Sequence, residues 1–175
     1  MHMAYLADKY ANEGLKVVSV FPLFNIKHLQ ITYEQLVHDL LEQGFPDYLY
    51  NAVIFLDELQ IVCDSYNFNS KETRAFTKLV TQLRKLKSTM YWSTQIFSMV
   101  ALRVRAQTNF IIQLEPSVTK GVSKVSVFDY MGHDNGIKGK NFIFDGRPYF
   151  NRFDTNWVIS YDPHDPIFND DDEEE

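Results

Sequence analysis

The stretch "AVIFLDELQIV", Ala52 to Val62, decides how this chain is read. Its unbroken apolar run has the length of a strand buried on both faces, the kind that parallel sheets use. The run then meets two adjacent carboxylates, Asp57 and Glu58, before the chain turns apolar again. In an open parallel sheet ligands collect beyond the carboxyl ends of the strands, so acidic side chains placed there face a crevice. An Asp at that position can hold the shell of a magnesium ion, and a neighbouring Glu can polarise a water for attack on a phosphate. The plain alternative is an acidic loop that merely ends a strand. The dipeptide alone does not separate the two.

The sequence on either side alternates between helix and strand. "MHMAYLADKYANEG" places Leu6, Ala7 and Tyr10 on one side and ends at Gly14, where a helix cap belongs. "KVVSVF" reads as a short β-branched strand. "TYEQLVHDLLEQG" opens with Thr32 and Gln35 in capping-box spacing, carries Leu36, Val37, Leu40 and Leu41 on one stripe, and stops at Gly44. In "NSKETRAFTKLVTQLRKLKS", Asn69 and Glu72 are placed to cap, and Phe76, Leu79, Val80, Leu83 and Leu86 keep helical period. "TMYWS" and "FIIQLE" complete the series of strands. Such alternation predicts an α/β fold, a mainly parallel sheet with helices on its faces. After Val118, "KVSVFDYM" and "NFIFDG" flank a Gly-rich loop and predict an antiparallel hairpin over about 118–146, an elaboration at the end of the sheet.

At 175 residues and 45% hydrophobic, the chain can bury one sizeable core, and residues 1–168 read as one domain. A single cysteine excludes an intrachain disulfide, and the start lacks a secretory-signal pattern, which points to the cytoplasm. No apolar run approaches the roughly 20 residues of a membrane span. Much of the net charge of -6 sits in the last residues, so 169–175 read as an acidic, disordered tail. The folded part is closer to neutral.

Two features add to the acid pair. "TMYWS" runs into Thr94-Gln95, which brings a neutral amide to the same edge of the sheet, where it could bond a phosphate or an attacking water. "MVALRVRAQTNFIIQ" then sets Arg103 and Arg105 just before the next strand, where they could reach a neighbouring subunit's site and offset charge on a transferring phosphoryl group. Surface arginines with no such role are the plain alternative. The order of carboxylates, amide and guanidinium is more specific than any one member.

At these residues the chain resembles P-loop ATPases of the FtsK/HerA superfamily. "VIFLDEL" looks like a Walker B strand, "YWSTQ" like the following strand with its sensor glutamine, and "LRVRAQTNFIIQ" like the arginine segment. Within that group the chain is most similar to the viral and plasmid branch of DNA-packaging ATPases and zonular occludens toxin-like assembly proteins. "NEGLKVVSVFPL" resembles the stretch after their first helix, and "YFNRFDT", Tyr149 to Thr155, a segment that closes such viral domains. The resemblance covers roughly residues 1–115. It implies a RecA-like core, ATP and Mg²⁺ as cofactors, a ring of identical subunits, and hydrolysis coupled to movement of DNA or filament components. Residue by residue it makes Asp57 the magnesium-side carboxylate acting through water, Glu58 the catalytic base, Gln95 the sensor, and Arg103 or Arg105 a finger acting on the next subunit.

The departure is at the front. The family's loop Gly-x-x-x-x-Gly-Lys-Ser/Thr cradles phosphates with backbone N–H groups and a lysine, and nothing here matches it. "GHDNGIKGKN" has Asp134 where a glycine must be and leads to a strand, so it reads as a hairpin turn. The chain thus reads as starting just after the loop, lacking the first, phosphate-loop strand. In the family's strand order that strand lies between the one ending in Gln95 and the one containing Ile111 and Ile112. Its loss should leave two apolar edges, unless they close up or another chain fills the gap. A fragment, a chain completed by a partner and a degenerate member are the three readings, the fragment being the expected one, inactive by itself.

The helix from Ser70 to Lys87 presents Lys71, Arg74, Lys78, Arg84, Lys85 and Lys87 against Glu72 alone, a basic side able to meet the phosphates of double-stranded DNA by counterion release. A solvated helix face explains it equally. Tyr91, Trp92 and Phe97 read as core. His133 with Asp134, and His164 with Asp162 and Asp165, lack metal-ligand spacing and read as turns. Cys63 has no local His partner and reads as a buried thiol. The function expected is the ATPase domain of a DNA-translocating or packaging motor; the alternatives are a non-catalytic assembly subunit with the same fold and a DNA-binding module.

Overall fold

The computed structural model describes residues 1–130 and 139–154. The turn assigned to His133 and Asp134, Thr155, the His164 group and the acidic tail lie outside the described residues.

The decisive run folds as expected: β3 (Ala52–Leu56) is buried at every position. It lies inside a four-stranded parallel sheet of order β2-β1-β3-β4, with β1 at Lys16–Ser19, β2 at Leu29–Gln30 and β4 at Thr89–Trp92. Register pairs Val53 with Val17 on one side and with Thr89 on the other. A strand flanked on both sides and covered on both faces has no position for a polar residue, which is why its sequence does not alternate. The two-residue β2 has exposed side chains and left no apolar pattern to read.

Helices cover the faces of this sheet. On one, α1 (His2–Asn12) meets β4 through Tyr10 and Tyr91, whose hydroxyls lie 2.7 Å apart, and Tyr91 stacks on Phe55 with centroids 5.3 Å apart. Elsewhere α2 (Tyr33–Glu42) and α3 (Lys71–Leu86) pack together, with the rings of Tyr33 and Phe76 edge to face at 6.2 Å. Thr32 and Gln35 form the expected capping box on α2. On α3 the cap is Ser70, not Asn69: its hydroxyl accepts the Thr73 N–H. Leu41, read as part of the buried stripe, is exposed, while Leu36, Val37 and Leu40 are buried. Tyr33 and these three aliphatic residues already fill the face that α2 turns inward.

The largest departure concerns "FIIQLE". Instead of continuing the parallel series, β5 (Phe110–Pro116) pairs antiparallel with β6 (Val122–Asp129), and β6 pairs antiparallel with β7 (Asn141–Asp145). The expected hairpin is thus two strands of a separate three-stranded sheet. From Gln113 onward β5 mixes polar and apolar residues and is exposed, as suits an antiparallel strand with one wet face. Neither β4 nor β5 is paired on its outer side among the described residues. None of the described helices is long and apolar enough to cross a membrane.

Phe76 is fully buried beneath Tyr33, so Phe76→Ala should lower unfolding free energy in urea by about 3–5 kcal/mol. Thr32→Ala, which removes one cap, should cost about 1 kcal/mol in the same measurement.

Candidate functional site

The site is built where β3 and β4 end side by side. Leu56 carries β3 to its last paired position, opposite Trp92, and the next residue on each strand leaves the sheet. Glu58 then takes a left-handed backbone conformation (φ 51°, ψ 50°), which turns the chain into a short 3₁₀ turn, Leu59–Ile61, and lets Leu59 reach the core. A side chain with a Cβ pays for that conformation with roughly 1–2 kcal/mol, so the surroundings must hold it there.

Ser93 does so. Its N–H donates to the Leu56 carbonyl at 2.9 Å, and its own carbonyl accepts from the Leu59 N–H at 3.0 Å. Its hydroxyl accepts the Glu58 N–H at 3.0 Å and donates to an Asp57 carboxylate oxygen in a short contact. From α2, the Tyr33 hydroxyl donates to the Asp57 carbonyl at 2.7 Å. Burial is the main force raising the Tyr33 pKa well above its ordinary value, with Cys63, Asp57 and Glu58 adding to it. The phenol therefore stays a donor. Nothing in "YWSTQ" singled out Ser93; its position beside the acid pair, in register with it, was the available signal.

The acid pair and the amide come together as the reading of the sheet edge required. Gln95 Nε2 donates to Glu58 Oε1 at 3.0 Å, and Asp57 and Glu58 are both half-buried. These residues line a cavity of about 1400 Å³ together with Met90 and Trp92 of β4, Phe110 and Ile112 of β5, and Met1, His2 and Leu6 at the start of the chain. Tyr91, Trp92 and Phe97, read as core, are only partly buried and line this space. Trp92 and Phe97 stack at 5.7 Å.

The arginines do not join this rim within the chain. Arg103 and Arg105 lie on α4 (Leu102–Arg105) and line a separate hollow of about 320 Å³ with Ser65, Phe68 and Leu102. The cause is local: the Ala101 N–H donates to the Cys63 carbonyl at 2.7 Å and Asp64 pairs with Val100, which ties this segment to the chain beyond the 3₁₀ turn. Arg105 is further held by its Nε–H donating to the Val100 carbonyl at 2.7 Å, with its guanidinium 5.5 Å from the Phe97 ring. Within one chain the rim therefore holds the acid pair and the amide, and the arginines line a different hollow. On α3, Lys71, Arg74, Lys78, Arg84 and Lys85 are all exposed, and Arg84 also reaches the cavity wall. Cys63 is fully buried, and burial pushes its thiol pKa far up, which removes it as a nucleophile.

The fit to magnesium and ATP is partial. Among the described residues no group of three or more His, Cys, Asp and Glu could enclose a metal ion. Magnesium bound to a nucleotide needs only one or two carboxylates, the rest of its shell being water and phosphate, and Asp57 suits that role. The phosphate cradle does not fit: no glycine lines the cavity, and Arg84 is the one Lys or Arg among its described lining residues.

The fold is similar to that of the N-terminal domain of zonular occludens toxin from Neisseria meningitidis, with a TM-score of 0.61 over 87% of this chain and 92% of that one, at 14% sequence identity. At that identity the likeness is one of fold. No protein-family model and no curated protein matches the chain.

Glu58 is the place where chemistry and backbone strain coincide. Both Glu58→Gly and Glu58→Ala delete the carboxylate, but only glycine adopts the left-handed turn freely, so the glycine variant should be more stable than the alanine variant by about 1 kcal/mol in chemical denaturation.

Proposed function

We propose that this chain carries the acid–amide part of a nucleotide-hydrolysing site in the ATPase domain of a DNA-translocating or DNA-packaging motor working in the cytoplasm. The observation that supports this most is the Gln95–Glu58 contact at 3.0 Å beside Asp57, at the carboxyl ends of neighbouring parallel strands. In this reading Asp57 is the Walker B-type carboxylate that holds magnesium through water. Bound magnesium would spread the charge of a nucleotide's phosphates. Glu58 takes a proton from a water, and the Gln95 amide fixes the orientation of that carboxylate, which is the geometry a general base needs. Ser93 keeps the Asp57 carboxylate turned toward the cavity by donating to it.

The exposed Arg103 and the hollow it shares with Leu102 and Phe68 suit a contact between identical subunits in a ring, where an arginine would serve the next subunit's site. The absence of a phosphate cradle among the described cavity residues favours a second reading, a non-catalytic assembly subunit that uses the same fold for protein contacts. Nucleotide binding separates them.

Magnesium-ATP should be titrated against this chain and against a form extended upstream of Met1. The motor reading expects binding by at least one of the two, and hydrolysis there should fall by about 10²- to 10⁴-fold in Glu58→Gln. No binding by either form overturns it. If α3 also meets duplex DNA, affinity should fall steeply with salt, and the combined variant Lys78→Glu with Arg84→Glu should bind uniformly more weakly with a smaller salt slope.

A further inference from the structure

β7 (Asn141–Asp145) is the outer strand of the antiparallel sheet: β6 bonds one of its edges, and the other has no partner among the described residues. Edge strands are ordinarily blunted by brevity, proline, lysine or a bulge. β2, the outer strand of the parallel sheet, is only two residues long. β7 has five residues with neither Pro nor Lys among them, and it pairs with β6 without a break from Asn141 to Asp145. Its apolar side chains stay in solvent, Ile143 being 68% exposed and Phe142 45%. The chain that leaves β7 turns away from this edge. The Gly146 N–H donates to the Gly121 carbonyl at 2.8 Å, and Phe150 and Arg147 lie so close to Gly121 that a Cβ there would meet them at 2.6 and 2.7 Å, which carries this segment inward to the turn before β6.

The strand also matches itself. Its sequence, Asn-Phe-Ile-Phe-Asp, is nearly symmetric about the centre. Two copies laid antiparallel about a twofold axis at Ile143 would set Ile143 opposite Ile143, Phe142 opposite Phe144, and Asn141 opposite Asp145. Directly opposed residues share a face, so apolar meets apolar and an amide meets a carboxylate. Phe142 and Phe144 lie on the face where Val125 is buried and where the rings of Tyr5 and Tyr149 stand 5.4 and 6.3 Å from Phe144. A second phenylalanine beside Phe142 would extend that row. Ile143 lies on the other face beside Lys124, whose charge Glu115 already meets at 3.7 Å. Charge decides the direction of pairing. Lys140 precedes the strand and Asp145 ends it, so an antiparallel pair brings opposite charges together at both ends, whereas a parallel pair sets like beside like. Asp145 is already held by Arg147 of its own chain, but a carboxylate keeps lone pairs free to accept from an Asn141 amide.

We propose that β7 pairs edge to edge with β7 of a second copy of this chain, antiparallel and centred on Ile143, which joins two three-stranded sheets into one of six strands. A twofold contact of this kind closes on itself. It uses neither the acid pair, nor Gln95, nor the hollow at Arg103, so it is compatible with a ring and its failure leaves the motor reading standing.

The test is sedimentation of the full chain from micromolar to millimolar concentration, with amide hydrogen exchange read over the same range. Monomer should pass to dimer, and exchange at Asn141–Asp145 should slow by about tenfold or more as it does. Ile143→Lys sets two cations opposite each other at the axis and should weaken association by about tenfold or more, and Ile143→Glu should do the same with two anions. Because Ile143 is exposed, neither variant should change the thermal unfolding of the monomer. Mixing the two variants should restore the dimer, an outcome particular to the twofold register. A chain that stays monomeric at millimolar concentration, a dimer indifferent to both charges, or mixed variants that fail to associate would each overturn the proposal. So would full protection of β7 in dilute monomer, because the chain itself would then cover the edge.

Discussion

The hydrogen bonds around Ser93 are the constraint on which the rest of the site depends. They join the ends of two parallel strands at the one place where both stop pairing, and they involve Leu56, Asp57, Glu58 and Leu59 in turn. Three consequences come from that one residue. The Asp57 carboxylate is held in place, the Glu58 backbone is kept in a conformation it would not choose, and Leu59 is drawn into the core. Strain at Glu58 is tolerated because the Glu58 N–H, the Asp57 carbonyl and the Leu59 N–H are all bonded. Without this frame the acid pair would be two solvated side chains on a loop.

Around that frame the molecule divides into two sheets with different requirements. The parallel sheet has its two inner strands, β1 and β3, paired on both sides, and β3 is apolar throughout. The antiparallel sheet has a wet face and mixes polar with apolar residues. Between them lies a space lined by residues of β4, β5 and α1. Buried or half-buried edges of this kind are usually paired or covered, because unpaired amides next to apolar side chains template strand addition. Here the acid pair lines that space together with Gln95.

Charge is segregated in the same spirit. The carboxylates stand at the carboxyl end of the parallel strands, while the cations of α3 are spread along its solvent face, with Arg84 alone reaching the cavity from that helix. Arg103 and Arg105 occupy a third place, tied to the chain after the 3₁₀ turn.

How much of this was legible in the sequence follows from range. The apolar run Ala52–Leu56, the capping box at Thr32 and Gln35, and the stop at Gly44 rest on residues a few positions apart, and local periodicity and capping chemistry are enough to read them. The approach of Gln95 to Glu58 was also legible, because two parallel strands that end at one edge bring their next residues together whatever lies between. Other features depended on contacts between distant segments. Ser93 became the clamp only through register with β3. Arg103 and Arg105 were drawn from the rim by the bonds of Ala101 and Val100 to Cys63 and Asp64. The strand at Phe110 joined a second sheet because its partner, β6, comes later in the chain and runs the other way. An amino-acid pattern states which face a segment must bury; which segment covers that face is decided by tertiary pairing, since many partners satisfy the same pattern and only the folded chain selects one.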